Sequence, residues 1–368
     1  MINNNQRVPQ GGNEIFLNHA AISPIAPAVA QEAQTSLAAL SRGIPDIQEW
    51  VNTLKECREE TGRLINAPPE SIAFTQNTSH AISLIAEGLC LDSGDEIIVS
   101  PVEYPANYYP WKNLERRGIV LRHLPEKDPS PSFEAILEAI TDKTRLIALS
   151  HVQYFAGHRC AVEKLRSVCS THTIYLCADL IQSVGVLPVD VNSLGVDFAA
   201  FGSQKWLLAP PGIGTLYIKP ALLTHITPVI TGAFSVQTPL ETLQKDLSFA
   251  ETARRFESGT MNFTLFSAYR RALRIAQEKG IAHIYASAME RRAFLYHTLK
   301  RKGYTLLSPE NPAQGSPIVT FSHGTKTKSL YNFLRKKGVV ATFRHNTIRF
   351  APHYYTPWQK LKSLAKLV

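Results

Sequence analysis

Short apolar runs bounded by polar turns recur through the first two thirds of the chain: SIAFTQ, DEIIVSP, IVLRHLP, TRLIALSHV, TIYLCADLIQ, DFAAFGSQK and GTLYIKP. Near-continuous apolar runs of this length read as strands buried on both faces, so seven strands are expected. Apolar residues recur at helical spacing from Ala28 to Leu40, and from Ile47 to Ile65, where Trp50, Leu54, Leu64 and Ile65 share a face and Pro68 and Pro69 end the pattern. Further helices are expected from Ser132 to Ile140 and from Val162 to Cys169. Strands alternating with helices in this way predict an α/β fold, a mostly parallel sheet wrapped by helices. From Phe263 the pattern changes to long helices, the run SPIVTFSH, the helix TKSLYNFLRKKG, the strands VVATFRH and NTIRFAPHYY, and a last helix. A smaller α+β domain is expected there. The expected divisions are an amino-terminal arm at 1–27, a large domain at 28–262 and a small domain at 263–368, in keeping with a chain too long for one core.

Composition narrows the class. Hydrophobic residues at 44% and charged residues at 19% are ordinary for a soluble globular protein. No apolar run approaches the roughly 20 residues that span a bilayer. The start, MINNNQRVPQGGN, is polar and lacks an apolar signal core, so a cytoplasmic protein is expected. The net charge of +9 is dispersed over helix faces, which fits solvated surface and an anionic cofactor or substrate better than nucleic acid. The five cysteines form no C-x-x-C pair and the twelve histidines show no metal-ligand spacing, so buried thiols and no metal are expected. Gly212-Ile213-Gly214 precedes a strand, the wrong place for a dinucleotide loop.

Candidate chemistry concentrates between Cys177 and Pro210. Asp179 closes one apolar run, and Lys205 follows another. In open parallel sheets, ligands bind outside the carboxyl ends of the strands, so these two side chains can face one crevice. An amine and a carboxylate together are what pyridoxal phosphate uses: the lysine forms a Schiff base, and the carboxylate keeps the ring nitrogen protonated. The corner Asn77-Thr78-Ser79 lies between a strand and a helix. It can serve as a helix cap or as a phosphate site. His151, at a strand end, is either a site residue or a satisfied core histidine. Ser203 and Gln204, beside Lys205, suit a phosphate or its shell.

Carried by Asp179, Gln182, Lys205 and this order of elements, the chain resembles the class V aminotransferases. These fold-type I pyridoxal phosphate enzymes include cysteine desulfurases, kynureninase-like hydrolases and isopenicillin-N-epimerase-like proteins. The resemblance runs through nearly the whole chain and implies a role for each matching residue. Thr78 and Ser79 match the phosphate-binding pair, and Tyr104 the residue stacked on the pyridine ring. Gln182 matches the partner of the cofactor's phenolic oxygen. Arg349 matches the arginine clamping the substrate carboxylate, with a surface ion pair as the plainer alternative. Asn18, His19 and Ala20 match the mouth of the site, and Tyr154 stands where desulfurase-like relatives carry asparagine. Gly259 and Thr260, by themselves a helix cap, match a pair that reaches the cofactor phosphate of the neighbouring subunit. A homodimer with composite sites is therefore implied. Desulfurases carry a nucleophilic cysteine in a small-domain loop, whereas this chain has only RHNT between Phe343 and Ile348 and no cysteine after Cys177. Persulfide chemistry by that route is not expected, and EYPANYYPW and SHVQY look more like the epimerase-like branch. The implied function is chemistry at the α-carbon of an amino acid, aminotransfer first. The alternatives are C–S lyase, epimerase, or a non-catalytic binding protein.

Overall fold

The computed structural model describes residues 14–43, 47–125, 131–239 and 247–368. About half of the expected amino-terminal arm, residues 1–13, lies outside them. Strand β1 (Ile15–Phe16) pairs in parallel with Val339–Val340, near the far end of the chain. Two helices follow, α1 (Pro27–Leu40) and α2 (Ile47–Ile65), within a residue of their expected limits.

Seven strands then form one sheet: β2 (Ile72–Thr75), β3 (Glu96–Val99), β4 (Val120–His123), β5 (Thr144–Ser150), β6 (Tyr175–Asp179), β7 (Phe198–Gly202) and β8 (Gly214–Ile218). Helices α3 (Thr78–Gly88), α5 (Phe133–Ala139) and α6 (Leu165–His172) connect them, with single turns α4 (Tyr109–Lys112) and α7 (Val191–Leu194). The order is β2-β8-β7-β6-β5-β3-β4, parallel except for β8, which runs antiparallel to both its neighbours. Alternate residues of each strand serve opposite faces. Ile98, Leu149, Leu176 and Phe201 pack in the core on one side, while Ile97, Ala148, Cys177 and Ala200 pack on the other. Burial on both faces explains why these strands read as unbroken apolar runs. The edge strand β4 is the partly exposed one.

Helix α8 (Phe263–Lys279) begins at the expected domain boundary yet packs against α1 and α2, so it sits with the large sheet. Helix α9 (Ile281–Arg301) leads to the smaller sheet, built from β9 (Thr305–Leu306), β10 (Val319–Ser322), β12 (Thr342–Arg344) and β13 (Thr347–Phe350) in the order β12-β13-β10-β9; α10 (Thr327–Lys336) and β11 (Val339–Val340) lie between β10 and β12. Phe321, Ile348, Phe350 and, from the last helix α11 (Trp358–Leu367), Leu361 form its separate core. The expected strand VVATFRH divides at Ala341. Its first half pairs with β1 and its second with β13, in different sheets.

Between β12 and β13, His345 and Asn346 both take the left-handed conformation, with φ of 47° and 54°. Two central residues of positive φ make the tight turn that matches strand twist. Among the described residues no helix is long and apolar enough to cross a membrane, and no cluster of three or more His, Cys, Asp or Glu is placed to hold a metal ion.

Candidate active site

The carboxyl ends of β5, β6 and β7 lie side by side, with Ser150 opposite Asp179 and Asp179 opposite Ala200. Above them opens a cavity of about 330 Å³, walled by the large sheet on one side and by β12 and β13 on the other. Asp179 and Lys205 both line it and both are buried.

Asp179 sits where β6 ends. Its Oδ1 accepts the Ile181 N–H at 2.8 Å, whereas Oδ2 is buried with no hydrogen-bond partner. Burial pushes this carboxyl up to about 6, against the pull of the Ile181 N–H and the Lys205 charge. Lys205 follows β7 in a turn closed by the Leu208 N–H to the Lys205 carbonyl, with Leu208 at φ 56°. Burial draws its amine down to about 8; Asp179 opposes that, while Arg349 and Arg344 add to it. The Lys205 Nζ lies 5.6 Å from the centre of the Tyr104 ring, which itself meets Tyr154 edge-on. Near Asp179, the half-buried Glu103 accepts the Ser150 N–H at 2.6 Å and the Ser150 hydroxyl, and desolvation pushes its carboxyl up to about 7.

At one end of the cavity, Asn77 caps α3 by accepting the His80 N–H at 2.9 Å. Thr78 and Ser79 thus present two hydroxyls and first-turn N–H groups that have no acceptor within the helix. At the other end Arg349 is fixed by donations to the Tyr154 carbonyl at 2.5 Å and to Thr342 Oγ1 at 3.3 Å, while its buried Nε has no partner. Gln182 is locked by its Nε2 donating to the Ala20 carbonyl and its Oε1 accepting Trp206 Nε1, both at 2.9 Å.

The structure therefore gathers Thr78, Ser79, Tyr104, Tyr154, Asp179, Gln182, Gln204, Lys205 and Arg349 around one cavity. It does not bring every expected residue there. His19 turns away: Nδ1 donates to the Ala351 carbonyl at 2.7 Å and Nε2 bonds the Tyr355 hydroxyl at 2.6 Å. Ala20, Ala21 and Ile22 reach the cavity in its place. His151 points into the core beside Arg159, whose Nε donates to it at 3.2 Å, and burial pushes it down to about 3. Ser203 spends its hydroxyl on the Pro210 carbonyl at 2.5 Å. Gly259 and Thr260 lie outside the cavity of their own chain. Asn77, expected only as part of the corner with Thr78 and Ser79, both caps the helix and lines the wall, whereas sequence reading missed Thr342 and Arg344. Counting forward in twos from Thr342, the residue opposite Arg349, gives Arg344 on the same face.

Comparison with known proteins identifies the family. The family model described as Aminotransferase class-V matches residues 15–350. An uncharacterized aminotransferase, YcbU, of Bacillus subtilis is 27% identical over 86% of this chain and 83% of its own. A cysteine desulfurase of Salmonella agona is 30% identical over 89% of this chain and 82% of its own. Among solved structures, the cystine C–S lyase C-DES in complex with its product cysteine persulfide superposes with a TM-score of 0.90 at 23% identity, covering 98% of this chain and 99% of that one.

Proposed function

The chain belongs to the class V aminotransferases, a family dependent on pyridoxal phosphate, and from that premise we propose that it is an aminotransferase acting at the α-carbon of an amino acid. One observation carries the reading: Asp179 Oδ2 is a buried acceptor with no partner, on a residue sharing its cavity with a lysine whose amine is held near 8. A protonated ring nitrogen would satisfy that acceptor, so the residues fit the cofactor. Thr78, Ser79 and the start of α3 would hold its phosphate, Asp179 its ring nitrogen, Gln182 its phenolic oxygen and Tyr104 its ring face. Bound there, the cofactor would supply an electron sink for the bonds of the α-carbon.

The chain's own residues do the rest. Arg349, already fixed by Tyr154 and Thr342, grips the substrate carboxylate and thereby sets which α-carbon bond faces the lysine. Lys205 then takes and returns the α-proton; an amine near 8 can do both close to neutral pH. Aminotransfer ranks above epimerisation by its breadth in the family; a two-base epimerisation would need a second donor on the face opposite Lys205. Relatives named cysteine desulfurase keep a lyase reading in play. No cysteine lines the cavity among the described residues, and burial pushes the Cys57, Cys160 and Cys169 thiols up to about 12, which argues against a persulfide formed on the protein; elimination of a β-substituent needs no protein thiol, and the products separate it from aminotransfer. Gly259 and Thr260 would meet the cofactor phosphate of a second subunit.

The test is the absorbance of the cofactor-loaded protein as amino acids are added, with and without a 2-oxo acid. A shift with an amino acid that the 2-oxo acid reverses is expected. Pyruvate or sulfide formed from cystine without any 2-oxo acid would establish the lyase instead. Full turnover by Lys205→Ala, with cofactor still trapped on the protein by borohydride, would sink both.

A further inference from the structure

Three cationic side chains line the cavity, Lys205, Arg344 and Arg349, against one carboxylate, Asp179. The cofactor's phosphate belongs at the α3 end and its ring nitrogen to Asp179. The α-carboxylate of a substrate occupies Arg349. Arg344 is left over, and among the described residues no carboxylate stands within ion-pair distance of it, whereas Arg116, Arg145, Arg270 and Arg274 each have one.

The backbone decides where Arg344 points. On β12, Thr342 and Arg344 share one face, and Phe343 between them turns to the small-unit core, stacked on Tyr331 at 5.2 Å. Thr342 stands directly opposite Arg349 and accepts its Nη2, so this face looks into the cavity. The tight turn at His345 and Asn346 fixes the strand end, helped by Thr347 Oγ1 donating to the Arg344 carbonyl at 2.7 Å and Asn346 Nδ2 donating to the Gly324 carbonyl at 3.0 Å. Arg344 pairs with Thr347, which makes Arg349 its diagonal neighbour. Diagonal neighbours on one face stand about 7–8 Å apart, a span that two long guanidinium arms can close onto the two carboxylates of an acidic amino acid.

We propose that Arg344 holds a second anionic group of the substrate, and that the enzyme acts on amino acids whose side chain ends in a carboxylate or a like anion. The proposal rests on the amino-acid reading above. It makes Arg344 the specificity-determining residue and the empty-handed member of an arginine pair.

The test uses cofactor-loaded protein, wild type and Arg344→Gln, titrated with aspartate and glutamate beside asparagine, glutamine and alanine, with the half-saturation of the absorbance change as readout. Acidic amino acids should half-saturate at about tenfold lower concentration than their amides, and Arg344→Gln should remove most of that preference. Arg344→Lys should restore it in part, since a point charge replaces a planar fork. Equal half-saturation for acids and amides would overturn the proposal. So would an Arg344→Gln variant that loosens the cofactor without changing the preference, because Arg344 would then serve the phosphate. If no amino acid perturbs the cofactor at all, the aminotransferase reading falls by itself. Calorimetry of glutarate against butyrate then decides the subsite: tighter glutarate binding that Arg344→Gln abolishes supports it, and equal binding overturns it.

Discussion

Lys205 and Asp179 shape each other's ionisation, and both shifts have readable consequences. The lysine amine must be uncharged to attack an aldehyde. With its pKa drawn down to about 8, uptake of pyridoxal phosphate by cofactor-free protein should rise with pH and level off just above 8. An ordinary lysine would go on gaining rate towards about 10.4. Stopped-flow mixing at constant ionic strength distinguishes the two. Asp179 shifts the other way, from 3.8 to about 6, so the folded cofactor-free protein holds this proton more tightly than the unfolded chain does. Its contribution favours low pH and is lost as pH climbs from about 4 through about 6. Cofactor-free Asp179→Asn should therefore gain about 2–3 kcal/mol over wild type between pH 4 and 7 in urea unfolding. With cofactor, the same variant should lose at least about a hundredfold in turnover, since it cannot hold charge at the ring nitrogen. Both residues were legible in the sequence because a polar residue ending an apolar strand has one crevice to face. His151 followed the same rule and misled: its backbone stands at the strand end, opposite the Asp179 carbonyl, while its ring lies in the core. Spacing locates a Cα; it does not aim a side chain.

Tight turns set what the strands deliver. The hairpin joining β12 and β13 depends on His345 and Asn346 holding positive φ, which a β-branched residue adopts only under strain. His345→Val should lower stability by about 1–2 kcal/mol in urea unfolding; no loss would mean the turn has another geometry. Trp206 offers a second check, since its indole N–H is the donor to Gln182 Oε1. Trp206→Phe should cost about 1–3 kcal/mol by leaving a buried acceptor unpaired. VVATFRH reads as one strand because most of it is apolar or β-prone. The division at Ala341 arises from pairing with two distant partners, which no local pattern records. Helix α8 is a similar case: a long helix from Phe263 was expected, and its choice of α1 and α2 as neighbours is not written in any local pattern.

Across the molecule, the cavity belongs to both sheets, and the proposed dimer adds a further wall. Ile22, on the cavity wall, and Tyr109 are both exposed apolar side chains, at 60% and 64%. Mixing Lys205→Ala subunits with Thr260→Asp subunits should recover activity that neither has alone, because one of the two sites in each mixed dimer is then intact. No recovery, or a monomer in sedimentation equilibrium, would remove the composite site. The strand order also has a bearing on synthesis. Residues 20–22 line the cavity because Ile15 and Phe16 pair with Val339 and Val340 and Asn18 bridges Ala351, partners far along the chain. A nascent chain therefore cannot close this wall of the site until the stretch through Ala351 has left the ribosome, more than three hundred residues after the wall itself was made.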